Sequence, residues 1–359
     1  MRTKNYPIGS DYYFEFSFLF KKKKNIFKFW KSYLKNFKLF FSGRDALRFL
    51  LKNLKEKYFY LLPSYTCYEV IRPFEELSLD FDFYRVYFDP KPQIDFDDIK
   101  KKAARYKNPI VIIIEYFGFP VDYELEIPFI LDISHSLLTF KKRNFKIKPS
   151  FIFGSLRKIL PLPDGGVLFF DGEIKDSVKN FDYKTFLIKL SAYLIRNFHN
   201  FLPDLTKPLF SFAYDVLDRN YEKKLTDNKD SKKLSFLTNY ILKRIPYEFI
   251  IEKRRQNFIY LLKNLNFEKI QPLYTDLPEG ICPLNFPFFS NNKHKIKDFL
   301  IKNRIYPPTL WPDIHPLIKK ENYPEIHKIP EKILSLPIDH RYNINDMKKI
   351  KEVIERCLS

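Results

Sequence analysis

A chemistry can be assembled around Lys158. It lies in the stretch Phe151-Ile152-Phe153-Gly154-Ser155-Leu156-Arg157-Lys158-Ile159-Leu160-Pro161-Leu162-Pro163-Asp164-Gly165-Gly166. An apolar run there reaches a hydroxyl, the hydroxyl stands three positions before the lysine, and a proline-stiffened turn ends in paired glycines. A lysine attacks an aldehyde only as the neutral amine, which desolvation and neighbouring cations favour. Arg157 and the flanking apolar residues offer both. The ordinary alternative is a solvated lysine in a basic loop, so the decision falls to the rest of the chain.

The second stretch is Asp132-Ile133-Ser134-His135, which follows the apolar Phe129-Ile130-Leu131. A carboxylate beneath a pyridinium nitrogen keeps the proton that makes pyridoxal phosphate an electron sink, and a histidine close by can contact the ring or its phenolic oxygen. Taken alone, the same pattern is a helix or turn cap. A third stretch, Ser42-Gly43, precedes an apolar-periodic helix whose first backbone N–H groups suit a phosphate, or need only an N-cap. Glycine occurs only eight times in 359 residues, and Gly43, Gly118, Gly154, Gly165 and Gly166 fall in or beside these stretches.

The elements that must position these groups alternate. Tyr58 to Leu62, Phe81 to Phe88, Ile110 to Tyr116, Phe129 to Asp132, Ser150 to Gly154 and Gly166 to Phe170 read as strands, most of them separated by helix-length segments such as Tyr68 to Glu76 and Ile94 to Tyr106. Ile-Val-Ile-Ile-Ile at 110–114 is continuous, as in a strand buried on both faces of a parallel sheet. The pattern predicts an α/β sheet with Tyr116, Asp132 and the Lys158 turn at carboxyl ends of strands, where such folds bind ligands. Tyr12 to Phe18 shows partial strand alternation, and the lysine-rich run after it reads as helix. From Asp176 to about Lys263 the chain is expected to be helical, with a mobile loop at Tyr221 to Lys233. Strand Pro283 to Phe289 and helices Asn292 to Lys302 and Ile344 to Cys357 predict a smaller C-terminal α/β domain. The division expected is residues 1–255, with an N-terminal arm and a helical insertion at about 176–255, and residues 256–359.

Hydrophobic residues make up 45% of the chain and aromatics 18%, enough for a core. The net charge of +20 favours anionic partners. Eight lysines and no acid lie between Lys21 and Lys38, interleaved with aromatics. Nucleic acid is set aside because Lys, Phe, Ile, Tyr and Asn are abundant throughout. Cys67, Cys282 and Cys357 are too dispersed for a disulfide framework or a zinc site, which fits a reducing compartment, the cytoplasm. The opening Met-Arg-Thr-Lys-Asn-Tyr-Pro lacks a signal-peptide pattern. Phe186 to Leu202 is apolar but broken by Lys189, Arg196, Asn197 and His199, so it reads as an amphipathic helix packed on the protein, with peripheral membrane contact as the alternative.

Ser42-Gly43-Arg44-Asp45-Ala46-Leu47, Pro63-Ser64-Tyr65-Thr66-Cys67, Asp132-x-x-His135, Ser155-x-x-Lys158 with Gly165-Gly166, Arg254-Arg255-Gln256-Asn257 and Leu334-Ser335-Leu336-Pro337-Ile338-Asp339 follow one another in the order of landmarks in the DegT/StrS aminotransferases. The chain resembles that family from about Ile8 to Leu358. The resemblance implies a fold-type I, pyridoxal-phosphate-dependent transferase and a homodimer with sites at the subunit interface. Its reaction would move an amino group from a donor such as glutamate to a nucleotide-linked keto-sugar, in surface-polysaccharide or amino-sugar synthesis. It makes Lys158 the covalent anchor of the cofactor, Asp132 the partner of the pyridine nitrogen and His135 a contact of the ring. Gly43 and Arg44 would offer backbone N–H groups to the phosphate, and Ser155 its hydroxyl. No metal is implied.

Three departures accompany it. Phe153 replaces the serine usual five residues before the lysine. Cys67 stands where an aromatic often stacks on the cofactor, leaving that contact to Tyr65, Tyr68 or nothing. The partner-subunit stretch of the family is not recognisable, with only Thr238-Asn239 near its place. A sugar dehydratase, or a noncatalytic binding or regulatory module on the same fold, are the alternative readings.

Overall fold

The computed structural model describes residues 6–30, 34–54, 56–174, 178, 180–199 and 207–358. The chain forms two compact units, one of residues 1–10, 56–150 and 248–359, the other of residues 11–55 and 151–247.

In the first unit the strand Phe129–Asp132 lies beside Pro109–Ile114, then Phe59–Pro63, then Phe81–Tyr84, every pair parallel. Ile110 to Ile114 are all 3% exposed or less, so the continuous aliphatic run is buried on both faces as its sequence requires. The helix Tyr68–Glu76 starts where the Cys67 Sγ accepts the Glu69 N–H at 3.5 Å, and Phe96–Ala103 starts where the Asp95 carboxylate accepts the Asp98 N–H at 2.9 Å.

The stretch expected as one strand from Phe81 to Phe88 is broken at Arg85. Its N–H donates to the Asp98 carboxylate at 2.7 Å and its guanidinium pairs with Glu325 at 2.8 Å. Beyond the break, Val86–Asp89 forms an antiparallel pair with Lys91–Ile94. In the C-terminal part, Phe286–Phe289 runs antiparallel between Gln271–Pro272 and Ile333–Leu336, and helices Lys293–Lys302 and Ile344–Leu358 pack together. The last helix buries Met347, Ile350, Val353, Ile354 and Cys357, one stripe at helical spacing.

In the second unit Gly166–Phe170 is the central strand, antiparallel to both Asn36–Phe40 and Phe151–Ser155. The helix Gly43–Asn53 packs on this sheet through Ala46, Leu47, Leu50 and Leu51. Three longer expectations change here. Tyr12 to Phe18 is not a strand; Phe16–Phe20 is a 3₁₀ turn. Of the lysine-rich run, Ile26–Trp30 is helix while Asn36–Phe40 enters the sheet, with residues 31–33 outside the described set. The polar stretch from Tyr221 does not open a loop at once, because Tyr221 and Leu225, one turn apart, bury against Phe41 and Phe186 and carry the helix Lys207–Asp227 forward. The helix Tyr183–His199 packs beside it. Among the described residues no helix is long and apolar enough to cross a membrane.

Candidate functional site

In the first unit the parallel strands deliver Tyr65, Tyr116 and Asp132 at their carboxyl ends. Asp132 closes its strand with 4% exposure, and the Ser134 N–H donates to its Oδ1 at 2.8 Å, holding the turn that follows. His135, 3% exposed, accepts the Phe117 N–H on Nδ1 at 3.2 Å. Phe117 has φ +57°, and this left-handed turn places its N–H on the imidazole. If neutral, the ring therefore carries its proton on Nε2.

An ion pair fixes this turn from below. Glu115, with a side chain 0% exposed, accepts from Arg143 Nε at 2.7 Å and Nη2 at 2.8 Å, and the Ser136 hydroxyl also donates to it. Sequence reading passed over this pair because its members are 28 residues apart and neither sits in a motif.

Aromatic rings surround the same strand ends. The Tyr116 hydroxyl donates to the Tyr65 carbonyl at 2.6 Å. Trp311 lies edge-on to Tyr65, with ring centroids 4.6 Å apart, and edge-on to Tyr116 at 5.7 Å. Its indole is nearly parallel to the His135 ring, at 19° and 5.5 Å. No motif pointed to Trp311; being one of only two tryptophans was the one available signal. Burial pushes the Tyr65, Tyr116 and Tyr274 phenols up, so all three remain neutral. The Tyr65 hydroxyl and the Thr66 Oγ1 are buried without a protein partner. The Cys67 sulfur caps the helix that follows. Tyr68 turns to His315 and donates to the Ile314 carbonyl at 3.1 Å.

The second unit gathers the glycine-marked stretches. Ser42 is the N-cap of the helix Gly43–Asn53, accepting the Asp45 N–H at 3.1 Å and donating to the Asp45 carboxylate at 2.6 Å. A Cβ on Gly43 would lie 3.0 Å from the Ser155 nitrogen, so the helix start and the end of the strand Phe151–Ser155 touch backbone to backbone. A Cβ on Gly166 would lie 2.0 Å from the Ser42 carbonyl oxygen, and the Gly165 N–H donates to the Phe41 carbonyl at 2.6 Å. Ser42-Gly43, Ser155 and Gly165-Gly166, remote in sequence, thus form one backbone cradle. The Arg44 side chain leaves it, donating to the Leu225 carbonyl at 2.6 Å. Lys158 ends the 3₁₀ turn Leu156–Lys158 and is exposed. Its neighbour Arg157 is the packed cation, over the Tyr221 ring at 4.9 Å and 3.7 Å from Glu222. Asp164 is buried beneath Ser235 and Thr238 and accepts from both hydroxyls. Burial pushes its carboxyl up to about 6.

Among the described residues no cluster of metal-ligating side chains occurs. No family model matches the sequence, and no curated protein matches it. Solved structures do match. A DegT DnrJ EryC1 StrS aminotransferase from Brucella abortus superposes with a TM-score of 0.61 at 16% identity, covering 92% of this chain and 88% of that one. Spr1654 from Streptococcus pneumoniae in its PLP form superposes at 0.64 and 12% identity, covering 99% and 100%. DesI, solved in the presence of its TDP-sugar product, superposes at 0.65 and 14% identity, covering 99% and 94%. The protein has the α/β fold of these structures, the fold-type I architecture.

Proposed function

We propose that this protein is a pyridoxal-phosphate-dependent aminotransferase that takes the amino group of an amino acid such as glutamate and delivers it to a nucleotide-linked keto-sugar, acting as a cytoplasmic homodimer. The observation that carries the reading is the buried Asp132 with His135 behind it at a carboxyl strand end, in a fold shared with aminotransferases over 92% or more of the chain.

The residues present fit the cofactor. A pyridine nitrogen needs a lasting carboxylate, and Asp132 is anchored by the Ser134 N–H. Polar atoms on a ring need donors, and the Tyr65 and Thr66 hydroxyls are buried with none of their capacity used by protein. A phosphate needs backbone N–H groups at a helix start, and the helix Gly43–Asn53 offers such a start beside the Ser155 backbone. When bound, pyridoxal phosphate supplies an electron sink for the pair released as the donor's Cα–H bond breaks.

In this reading Asp132 would face the pyridine nitrogen, and His135 and Trp311 would lie against the ring. Lys158 would hold the cofactor, and its amine would move the proton from the substrate carbon. Gly43, Arg44 and Ser155 hold the phosphate. General acid-base transfer of this kind is worth ~10²- to 10⁴-fold. Lys158→Ala should therefore lose at least about a hundredfold in amino transfer from glutamate, and borohydride should fix the cofactor to the peptide containing Lys158. Turnover near wild type in Lys158→Ala would refute this role.

A noncatalytic member of the same fold is the second reading, favoured by the lysine-rich stretch Lys21 to Lys38 and by the unrecognisable partner-subunit stretch. Protein that stays colourless after incubation with pyridoxal phosphate would support that alternative.

A further inference from the structure

The second unit carries a surface that no step of the proposed reaction uses. The 3₁₀ turn Phe16–Phe20 leads into Lys21-Lys22-Lys23-Lys24, and this segment runs along the helix Phe236–Leu242. Tyr240 donates to the Leu19 carbonyl at 3.4 Å, and the Lys24 N–H donates to the Lys243 carbonyl at 3.1 Å. Phe20 and Phe236 are 86% and 84% exposed, and Phe16 is 50% exposed. Lys21 to Lys24 and Lys243 are exposed around them. Neither residues 16–30 nor residues 231–247 contain an acid.

A single exposed phenylalanine needs no explanation, but two almost wholly exposed rings beside a run of cations form a patch that soluble surfaces avoid. Interfacial anchors have this composition: rings enter the acyl boundary while lysines meet anionic headgroups. The same face of a second copy is a poor occupant, because two acid-free faces would bring like charges together. Single-stranded nucleic acid calls for a groove that tracks the phosphates between stacked bases. Here the rings protrude from the end of a turn and from the first residue of a helix. We propose that this face docks the protein on an anionic lipid bilayer, with Phe20 and Phe236 entering the interface and Lys21 to Lys24 lying against the headgroups. The inference stands whether or not the protein proves to be an aminotransferase.

The test is co-sedimentation of the full chain with vesicles of phosphatidylcholine, alone or mixed with phosphatidylserine. Binding should appear only with phosphatidylserine and should weaken as salt is raised. Lys21→Gln/Lys22→Gln/Lys23→Gln should weaken it about a hundredfold, since each cation near an anionic surface contributes roughly fivefold. Phe20→Ser/Phe236→Ser should cost about tenfold or more at unchanged charge. All five positions are exposed, and circular dichroism verifies that both variants stay folded. Absence of binding, equal binding to neutral vesicles, or binding undiminished in either variant overturns the proposal. It is also overturned if a single-stranded oligonucleotide binds through Phe20 and Phe236 more tightly than the vesicles do, or if the chain self-associates through these residues.

Discussion

Replacing Arg143 by Met tests how the His135 turn is held. Glu115 is fully buried and Arg143 is 11% exposed, with two hydrogen bonds of 2.7 and 2.8 Å between them. Methionine keeps much of the arginine stem's volume but removes the guanidinium bonded to this carboxylate, leaving it, among the described residues, the Ser136 hydroxyl as side-chain donor. Breaking a buried pair from one side costs about 3–5 kcal/mol, because the other charge is stranded. An exposed pair would cost about 1 kcal/mol or less. Urea unfolding of Arg143→Met should therefore show a lower midpoint at unchanged slope, equivalent to about 3–5 kcal/mol. The double variant Glu115→Gln/Arg143→Met, which strands no charge, should recover most of that loss. Because Ser136 follows His135 directly, the single variant should also speed hydrogen exchange of the Phe117 amide, whose N–H the His135 ring accepts. A loss below about 1 kcal/mol, or a double variant no better than the single one, would refute the reasoning.

The pH dependence of stability has a worked sign. Burial, only partly offset by the Ser42 hydrogen bond and Arg48, pushes the Asp45 carboxyl up to about 6, as burial does for Asp164. Each native carboxyl keeps a proton that the unfolded chain releases near 3.8, so this stability is complete below about pH 3.8 and falls as pH rises to about 6. The change is on the order of 3 kcal/mol per group, and Asp164→Asn should flatten part of the slope in denaturant titrations across that window. Asp339 acts oppositely: burial raises it, but Arg341 outweighs burial and holds it at about 2, so its contribution is lost as pH falls from 3.8 toward 2. Trp311 gives an optical test. Trp30 is fully buried with no partner for its indole nitrogen, so Trp30→Phe should leave the fold intact and Trp311 as the sole emitter. Pyridoxal phosphate added to that variant should quench its emission, and unchanged emission with cofactor bound would place the ring elsewhere.

The sheet was legible because its strands are written in a local code. Ile110 to Ile114 cannot be satisfied except by burial on both faces, and the Phe129-Ile130-Leu131-Asp132 run marks both a buried strand and its polar end. The same local logic failed where long-range packing decides. Tyr221 to Asp227 is polar enough for a loop, yet two buried side chains hold it helical. Arg85 interrupts a stretch that alternates well because Asp98 and Glu325 capture it, and nothing near Arg85 in sequence announces Glu325. Asp132 and His135 in the first unit, and Ser155 and the glycines in the second, were readable as motifs. Trp311, Glu115 and Arg143 were not, since their roles arise only when strand ends converge.

The rings around Asp132 also bear on why Cys67 is tolerated. An aromatic at that position would have to leave the helix cap, where the cysteine sulfur accepts the Glu69 N–H. Ring contacts at this strand end come instead from Trp311, which lies far along the chain from His135, Tyr116 and Tyr65. Leaving the Tyr65 and Thr66 hydroxyls buried without partners costs about 1–3 kcal/mol each. A ligand whose polar atoms met these hydroxyls would remove the cost. In the proposed reading, the Trp311 ring, the anchored Asp132 carboxylate and the two hydroxyls would serve one role, receiving a flat polar cofactor at the carboxyl ends of the strands.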